Sequence, residues 1–191
     1  PEQKAPRACE IKKAAGVSIA TLAYKIPCAT DPDFAPVYML STILAGGFSS
    51  RLQKALVDRG YAAEIAHMTP ATFDPVIVSF TATAADGVKP EKLLKIMRAE
   101  IAKLVKSGVE TVEVARARER ILSQMAEERD GIWNEIRTVS ESLAAGDWTL
   151  GYAFEERVKK IKRTDMDRVA RKYFTPRSET TGILTDTTET L

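Results

Sequence analysis

"LAGGFSSRLQKALVDRG", residues 44–60, joins an apolar run to a basic amphipathic one through two glycines and two serines. A Walker-type phosphate loop would need Gly-x-x-x-x-Gly-Lys-Ser/Thr behind a strand. Here the glycines follow a helical run, and Arg51 is the nearby cation. A nucleophilic serine elbow would need Gly-x-Ser-x-Gly, whereas Ser49 is followed by Ser50 and Arg51. The simplest reading is a helix stop, with Ser49 or Ser50 capping a second helix. That helix carries Leu52, Ala55, Leu56 and Arg59 at spacings of three and four and ends at Gly60. An anion on the backbone N–H groups before Leu52 is the minor alternative.

Both flanks extend the pattern. Upstream, residues 16–27 alternate β-branched and small side chains between Gly16 and Pro27, which predicts a strand. Phe34, Val37, Tyr38 and Leu44 then repeat at helical spacing up to the glycines. Downstream, residues 61–68 and 75–84 predict an antiparallel hairpin across a Pro- and Asp-containing turn. From Pro90 the period becomes helical: Leu93, Leu94, Met97, Ile101, Leu104 and Val105 form a stripe closed by Ser107-Gly108. Further helices are predicted around 114–125, over 131–148, and after a Thr164–Asp167 capping box up to Pro176. A last strand covers 180–185. The order β α α β β α α α α β, with strands paired by hairpin, means an α+β fold. The division is a polar lead-in 1–15, one domain 16–186 and a tail 187–191.

Composition excludes several functions. Hydrophobic residues are 45% and charged residues 28%, as in ordinary soluble domains. With 28 basic against 26 acidic residues the net charge is +2, which gives no electrostatic drive toward nucleic acid. No apolar run approaches the ~20 residues that span a bilayer. The start, Pro1 and a polar stretch, reads as an excised piece or a mature product and carries no signal-peptide core. Cys9 and Cys28 lack a disulfide or zinc-knuckle pattern and read as two free thiols.

Candidate chemistry is sparse. His67 is the chain's one histidine, so no site within it has two imidazole ligands. It shares a predicted strand face with Tyr61, Ala63 and Ile65, while Glu64 faces away. Packing is the better reading than general base, since no acid to orient it is near in sequence. Glu127, Glu128 and Asp130, with Arg129 among them, read as a solvated helix junction rather than a glycosidase pair. Trp133, Trp148, Tyr152 and Phe154 are expected in the core rather than in a ligand cage.

Taken in order, "LSTILAGGFSSRLQKALVDRGYA" (40–62) and "WNEIRTVSESLAAGDWTLGYAFEERVKKIKRTDMDRVARKYFTPRSETTGIL" (133–184) resemble segments of pitrilysin/insulinase-type zinc peptidases, the family that includes the mitochondrial processing peptidase. The resemblance runs from about Gly16 to Leu184. It implies a mixed, largely antiparallel sheet with helices on one face, one of a pair of related domains. The zinc-bearing member of such a pair carries His-x-x-Glu-His, which a chain with His67 alone does not have. The resemblance is therefore to the non-catalytic partner domain, without metal or cofactor of its own, and zinc is expected in a sister domain or subunit. Its implied partners are that zinc-bearing domain, a peptide substrate and, as an open alternative, further copies of the chain. A degenerate, purely structural subunit of the same fold is the second reading.

The resemblance also implies site residues. Gly46, Gly47, Ser49, Ser50 and Arg51 would lie near the peptide chamber. At the positions where active relatives carry a substrate-holding arginine and tyrosine, this chain has Val57 and Ala63, with Arg59 and Tyr61 close by in sequence. Arg59 and Tyr61 complete the expected substrate-contact set. Half of an obligate pair should also keep an exposed apolar patch. Its expected place is the sheet face away from the helices, carrying either Val76, Val78 and Phe80 or Ile77, Ser79 and Thr81.

Overall fold

Strand β2 (Ile19–Ile26) and strand β4 (Val76–Ala84) lie side by side and antiparallel, with Leu22 opposite Phe80 and Tyr24 opposite Val78. In the computed structural model, which describes residues 3–128 and 131–188, these four side chains are buried on one sheet face. Arg129 and Asp130 of the acidic junction lie outside the described residues. The sheet has five strands in the order β1-β5-β2-β4-β3, with β1 Arg7–Lys13, β3 Ala62–Met68 and β5 Glu179–Asp186. It is mixed: β1 runs parallel to β5, and the other pairings are antiparallel.

Among the described residues six α-helices complete the fold: α1 Phe34–Ala45, α2 Pro90–Ser107, α3 Thr111–Glu128, α4 Ile132–Ala144, α5 Leu150–Lys160 and α6 Arg163–Tyr173. Five of them, α4 being the exception, give side chains to one core with Ala20, Leu22, Val78, Phe80 and Ala82. These five helices thus stack on a single face, as the resemblance implied. The opposite face shows Thr21, Lys25, Ile77, Ser79 and Thr81 half-buried or exposed, with the Thr21 and Thr81 hydroxyls 3.1 Å apart. By register the same face also carries Ile11, Ile19, Met68 and Leu184, and Ile11, Met68 and Ile77 are 53%, 56% and 46% exposed. The alternation assigns Val78 and Phe80 to the helix side, so of the two expected sets Ile77, Ser79 and Thr81 is the one on the open face.

α1 is the central helix. Every residue in it except Tyr38 is buried, which a helix apolar all round requires. Asp33, just before it, is 4% exposed, and its carboxylate accepts from Arg168 at 2.6 Å, Lys172 at 2.7 Å and Tyr173 at 2.9 Å. Burial raises the Asp33 pKa, but these α6 donors outweigh it and hold the carboxyl well below the ordinary carboxylate range.

Five local features differ from the sequence reading. Residues 7–13, within the polar lead-in, form β1: all seven side chains are exposed, so no alternation marked the strand. The predicted helix after Ser50 is one wide turn, with Gln53–Val57 π-helical and Asp58 N–H bonded to Gln53 O at 3.1 Å. The stretch so enclosed is too short to sustain a regular helix by itself. The helix read over 131–148 ends at Ala144, beyond which Gly146 takes φ +110°. There Asp147 accepts the Thr149 amide at 2.9 Å, and α5 starts as a separate helix. Finally, a bulge between Ala62 and Glu64 places Ala62, not Ala63, with Ile65 and His67 on the Phe80 side of β3. The α6 cap falls two residues before the predicted Thr164–Asp167 box: Lys162 is the N-cap residue, and Asp165 accepts its amide at 2.9 Å.

Candidate functional site

The turn after α1 is shaped by close approach. Gly46 N–H closes the helix on Thr42 O at 2.7 Å, and a Cβ on Gly46 would meet that same oxygen at 2.6 Å. Gly47 has φ +117°, and a Cβ there would lie 2.8 Å from Nη1 of Arg120 on α3. Both positions accept glycine alone without distortion. The result seats the turn against α3 and exposes Phe48 at 90%.

Arg51 leaves the turn inward. Its Nε and Nη2 donate to Glu113 Oε1 and Oε2 at 2.7 and 2.6 Å, and Nη2 also reaches Gly108 O at 3.1 Å. This bidentate pair pins the turn to the α2–α3 junction. Burial pushes the Glu113 carboxyl up, yet Arg51 and the Glu110 amide together hold it below its usual value. The hydrogen bond to Glu113 raises the Arg51 guanidinium pKa further. Arg51 is thus committed to the fold as an anchoring side chain.

Two openings border the turn. A small cavity of about 40 Å³ lies between Gly46, Ser49 and Ser50 on one side and Glu113, Arg116 and Arg120 on the other. Ser50 is 5% exposed and its hydroxyl has no hydrogen-bond partner. An unmade bond of that kind costs about 1–3 kcal/mol. Beyond it, an open groove of about 580 Å³ runs past Arg51, Lys54, Arg59, Lys103, Glu110 and Arg163.

The expected contact residues therefore divide. Gly46, Ser49 and Ser50 border the cavity, with Gly47 packed on Arg120; Ser49, Arg51 and Arg59 border the groove. Tyr61 stands apart, half-buried with the Lys92 ammonium 3.8 Å from its ring centre. Val57 is half-buried, and Ala63 is exposed in the β3 bulge. His67 is half-buried beside Ala45 and Arg120; burial lowers its pKa, the Arg120 charge acts in the same sense, and a hydrogen bond to the Ala45 backbone opposes both. Among the described residues no three His, Cys, Asp or Glu side chains stand together as a metal site. Cys9 and Cys28 are free thiols. No helix is long and apolar enough to cross a membrane.

A second surface escaped the sequence reading. Ile132, Trp133, Ile136 and Leu143 of α4 are 70%, 81%, 49% and 64% exposed. The side toward the body holds Glu135, Thr138, Ser142 and the following Ala145, with Ser142 donating to Thr138 O and Tyr152 OH donating to Glu135. The helix is amphipathic, but its apolar side faces outward. Trp148 and Tyr152 are also exposed, at 57% and 39%. Of the four aromatics expected in the core, only Phe154 packs on α1, edge-on to Tyr38 with ring centres 5.2 Å apart. Helical spacing gives a stripe but not the side from which it is covered.

A family model described as "Peptidase M16 inactive domain" matches residues 1–121. The inactive peptidase domain of a candidate zinc protease from Bordetella parapertussis is 29% identical, with TM-score 0.85, over 93% of this chain and 97% of that one. A candidate zinc protease from Bordetella pertussis is also 29% identical, with TM-score 0.80, over 87% of this chain and 93% of that one. A protease from Helicobacter pylori superposes with TM-score 0.88 and 24% identity over 96% of this chain, a likeness of fold. This chain spans 45% of that protease's length. No curated protein matches.

Proposed function

The chain belongs to the peptidase M16 inactive-domain family, and from that premise we propose that it is the non-catalytic half of a zinc metallopeptidase. It docks on a zinc-bearing sister domain or subunit, closes the chamber over the metal, and helps to hold the peptide there. The metal chemistry belongs to the sister. This chain supplies walls, charge and position.

The observation that carries this reading is the outward apolar side of α4. Trp133, Ile132, Ile136 and Leu143 are too large and too contiguous for a surface meant to meet water. Aromatic anchors of this kind are the usual centre of a stable interface. The helix-free sheet face is the second surface available to a partner, with Thr and Ser side chains suited to peptide backbone groups beside exposed Ile11, Met68 and Ile77.

The test is reconstitution. Mixed with a zinc-bearing M16 domain from the same source, the chain should form a stable complex and raise hydrolysis of a quenched peptide. Trp133→Asp should abolish both effects while the chain stays folded. Wild-type chain that neither associates nor stimulates would refute the assignment.

A second reading is a catalytically inactive assembly subunit of the same fold. Val57 and Ala63 favour it, since the resemblance sets Val57 at, and Ala63 one residue from, the positions where active relatives hold substrate. Reconstitution separates the readings: an assembly subunit would form the complex without stimulating hydrolysis.

A further inference from the structure

We infer that the cavity between the Gly46–Ser50 turn and α3 is a binding pocket for a single carboxylate group, held by Arg116, Arg120 and the Ser50 hydroxyl. The pocket's chemistry stands on its own residues. Only the source of the carboxylate, a peptide, rests on the partner-domain reading.

The lining offers donors and no free acceptor of matching charge. Arg116 and Arg120 are one turn apart on α3 and make no ion pair among the described residues. The Arg120 guanidinium is held against the turn by its packing on Gly47. Glu113 also borders the cavity, but Arg51 takes both its oxygens and the Glu110 amide takes a further lone pair. Its charge is neutralised within the protein, leaving two unpaired positive charges at the opening. Thr42 spends its hydroxyl on Tyr38 O at 3.1 Å. Ser50, 5% exposed and without a partner, is the buried polar atom left for an occupant.

That set selects an oxyanion. Two guanidiniums and a hydroxyl give several converging donors, the arrangement with which arginine binds carboxylates in preference to neutral groups. The volume, about 40 Å³, takes a carboxylate-sized head, a water having a share of about 30 Å³ in the liquid. It excludes a ring. The groove past Arg51 and Arg59 adjoins the cavity through Ser49, Glu113 and Arg116, so a chain lying in it can present a carboxylate to the pocket.

The experiment titrates the 191-residue chain with three probes: an acetylated pentaalanine ending in a free carboxylate, the same peptide ending in an amide, and inorganic phosphate. Backbone amide signals of Gly46, Gly47 and Ser50 and the Nε signals of Arg116 and Arg120 report occupancy. The free acid should saturate these signals, with affinity at least tenfold better than the amide. Arg116→Gln and Arg120→Gln, both on exposed positions, should each weaken it about tenfold. Ser50→Ala should weaken it several-fold while leaving the melting temperature equal or higher, since the unmet hydroxyl is gone. Equal response to acid and amide would overturn the proposal. So would saturation by phosphate with both peptides silent, or no saturable response, which would leave water as the occupant. Failure to stimulate a zinc-bearing partner would refute the partner-domain reading and leave this titration unaffected.

Discussion

Arg51 and Glu113 are joined by two hydrogen bonds of 2.7 and 2.6 Å, and through them a residue of the glycine turn is fixed to the first turn of α3. The two lie 62 residues apart, and both side chains are about four-fifths buried. Removing either leaves the other charge unpaired in a poorly solvated place. Arg51→Ala and Glu113→Ala should each lower stability by about 2–4 kcal/mol, while Arg51→Lys, which loses the fork, recovers only part. Urea unfolding of the three variants checks this, and a change under ~0.5 kcal/mol for Arg51→Ala would show the pair to be idle.

Asp33 makes the stability pH-dependent with a definite sign. Its carboxyl titrates lower in the folded than in the unfolded chain. Its contribution is therefore complete above the unfolded value, about 4, and is lost as pH falls below it toward the folded value. Thermal melts from pH 6 down to pH 2 should show a progressive fall, shallower in Asp33→Asn, which should also lose about 2–3 kcal/mol at neutral pH. A variant with an unchanged acid limb would place the acid sensitivity elsewhere.

The chain by itself should hold no stoichiometric zinc. One histidine, with no cluster of metal ligands among the described residues, cannot supply a four-coordinate site. Elemental analysis after dialysis should find well under one zinc per chain, and a chelator should leave the melting temperature where it was. A tightly held equivalent would move the metal chemistry into this chain.

Trp133 offers a clean separation of folding from association. Because it is 81% exposed, Trp133→Asp should change the melting temperature little. An interface anchor of this type is worth about 2 kcal/mol or more, so affinity for the zinc-bearing partner should fall at least ~30-fold. Sedimentation or calorimetry with the two purified components measures it, and equal affinities would remove α4 from the interface.

Gly47→Ala tests the shape of the turn. The positive φ and the 2.8 Å approach to Arg120 both oppose a side chain, so a loss of about 1–2 kcal/mol is expected. Combining it with Arg120→Ala should relieve the steric share and keep the backbone share. Additive losses in the double variant would show that the approach to Arg120 costs nothing.

Periodicity made much of this fold legible. The bounds of α2, from Pro90 to Gly108, follow from its stripe and its two end signals, and the two faces of β4 follow from alternation. What periodicity lacks is direction. It located the α4 stripe but not that Thr138 and Ser142 would turn inward and Trp133 outward. It could not register β1, whose seven exposed residues are ordered by backbone pairing to a strand about 170 residues away. The Arg51–Glu113 pair and the cavity behind it are products of the same distance: both need the turn and α3 brought together, and neither segment alone carries a trace of the other.

β5, the last of the sheet's strands in sequence order, sits not at the rim of the sheet but between β1 and β2. Synthesis therefore delivers the interior of the sheet last. Until Glu179–Asp186 leaves the ribosome, β2 presents the unpaired edge that will receive it, from Ile19 to Tyr24, and β1 has no neighbour at all. The nascent chain must carry an open, strand-hungry edge through the making of six helices, a state in which pairing with the wrong chain competes with folding. A product cut short before Glu179 never leaves that state, so this eight-residue strand acts as the latch whose arrival commits the domain to its own fold.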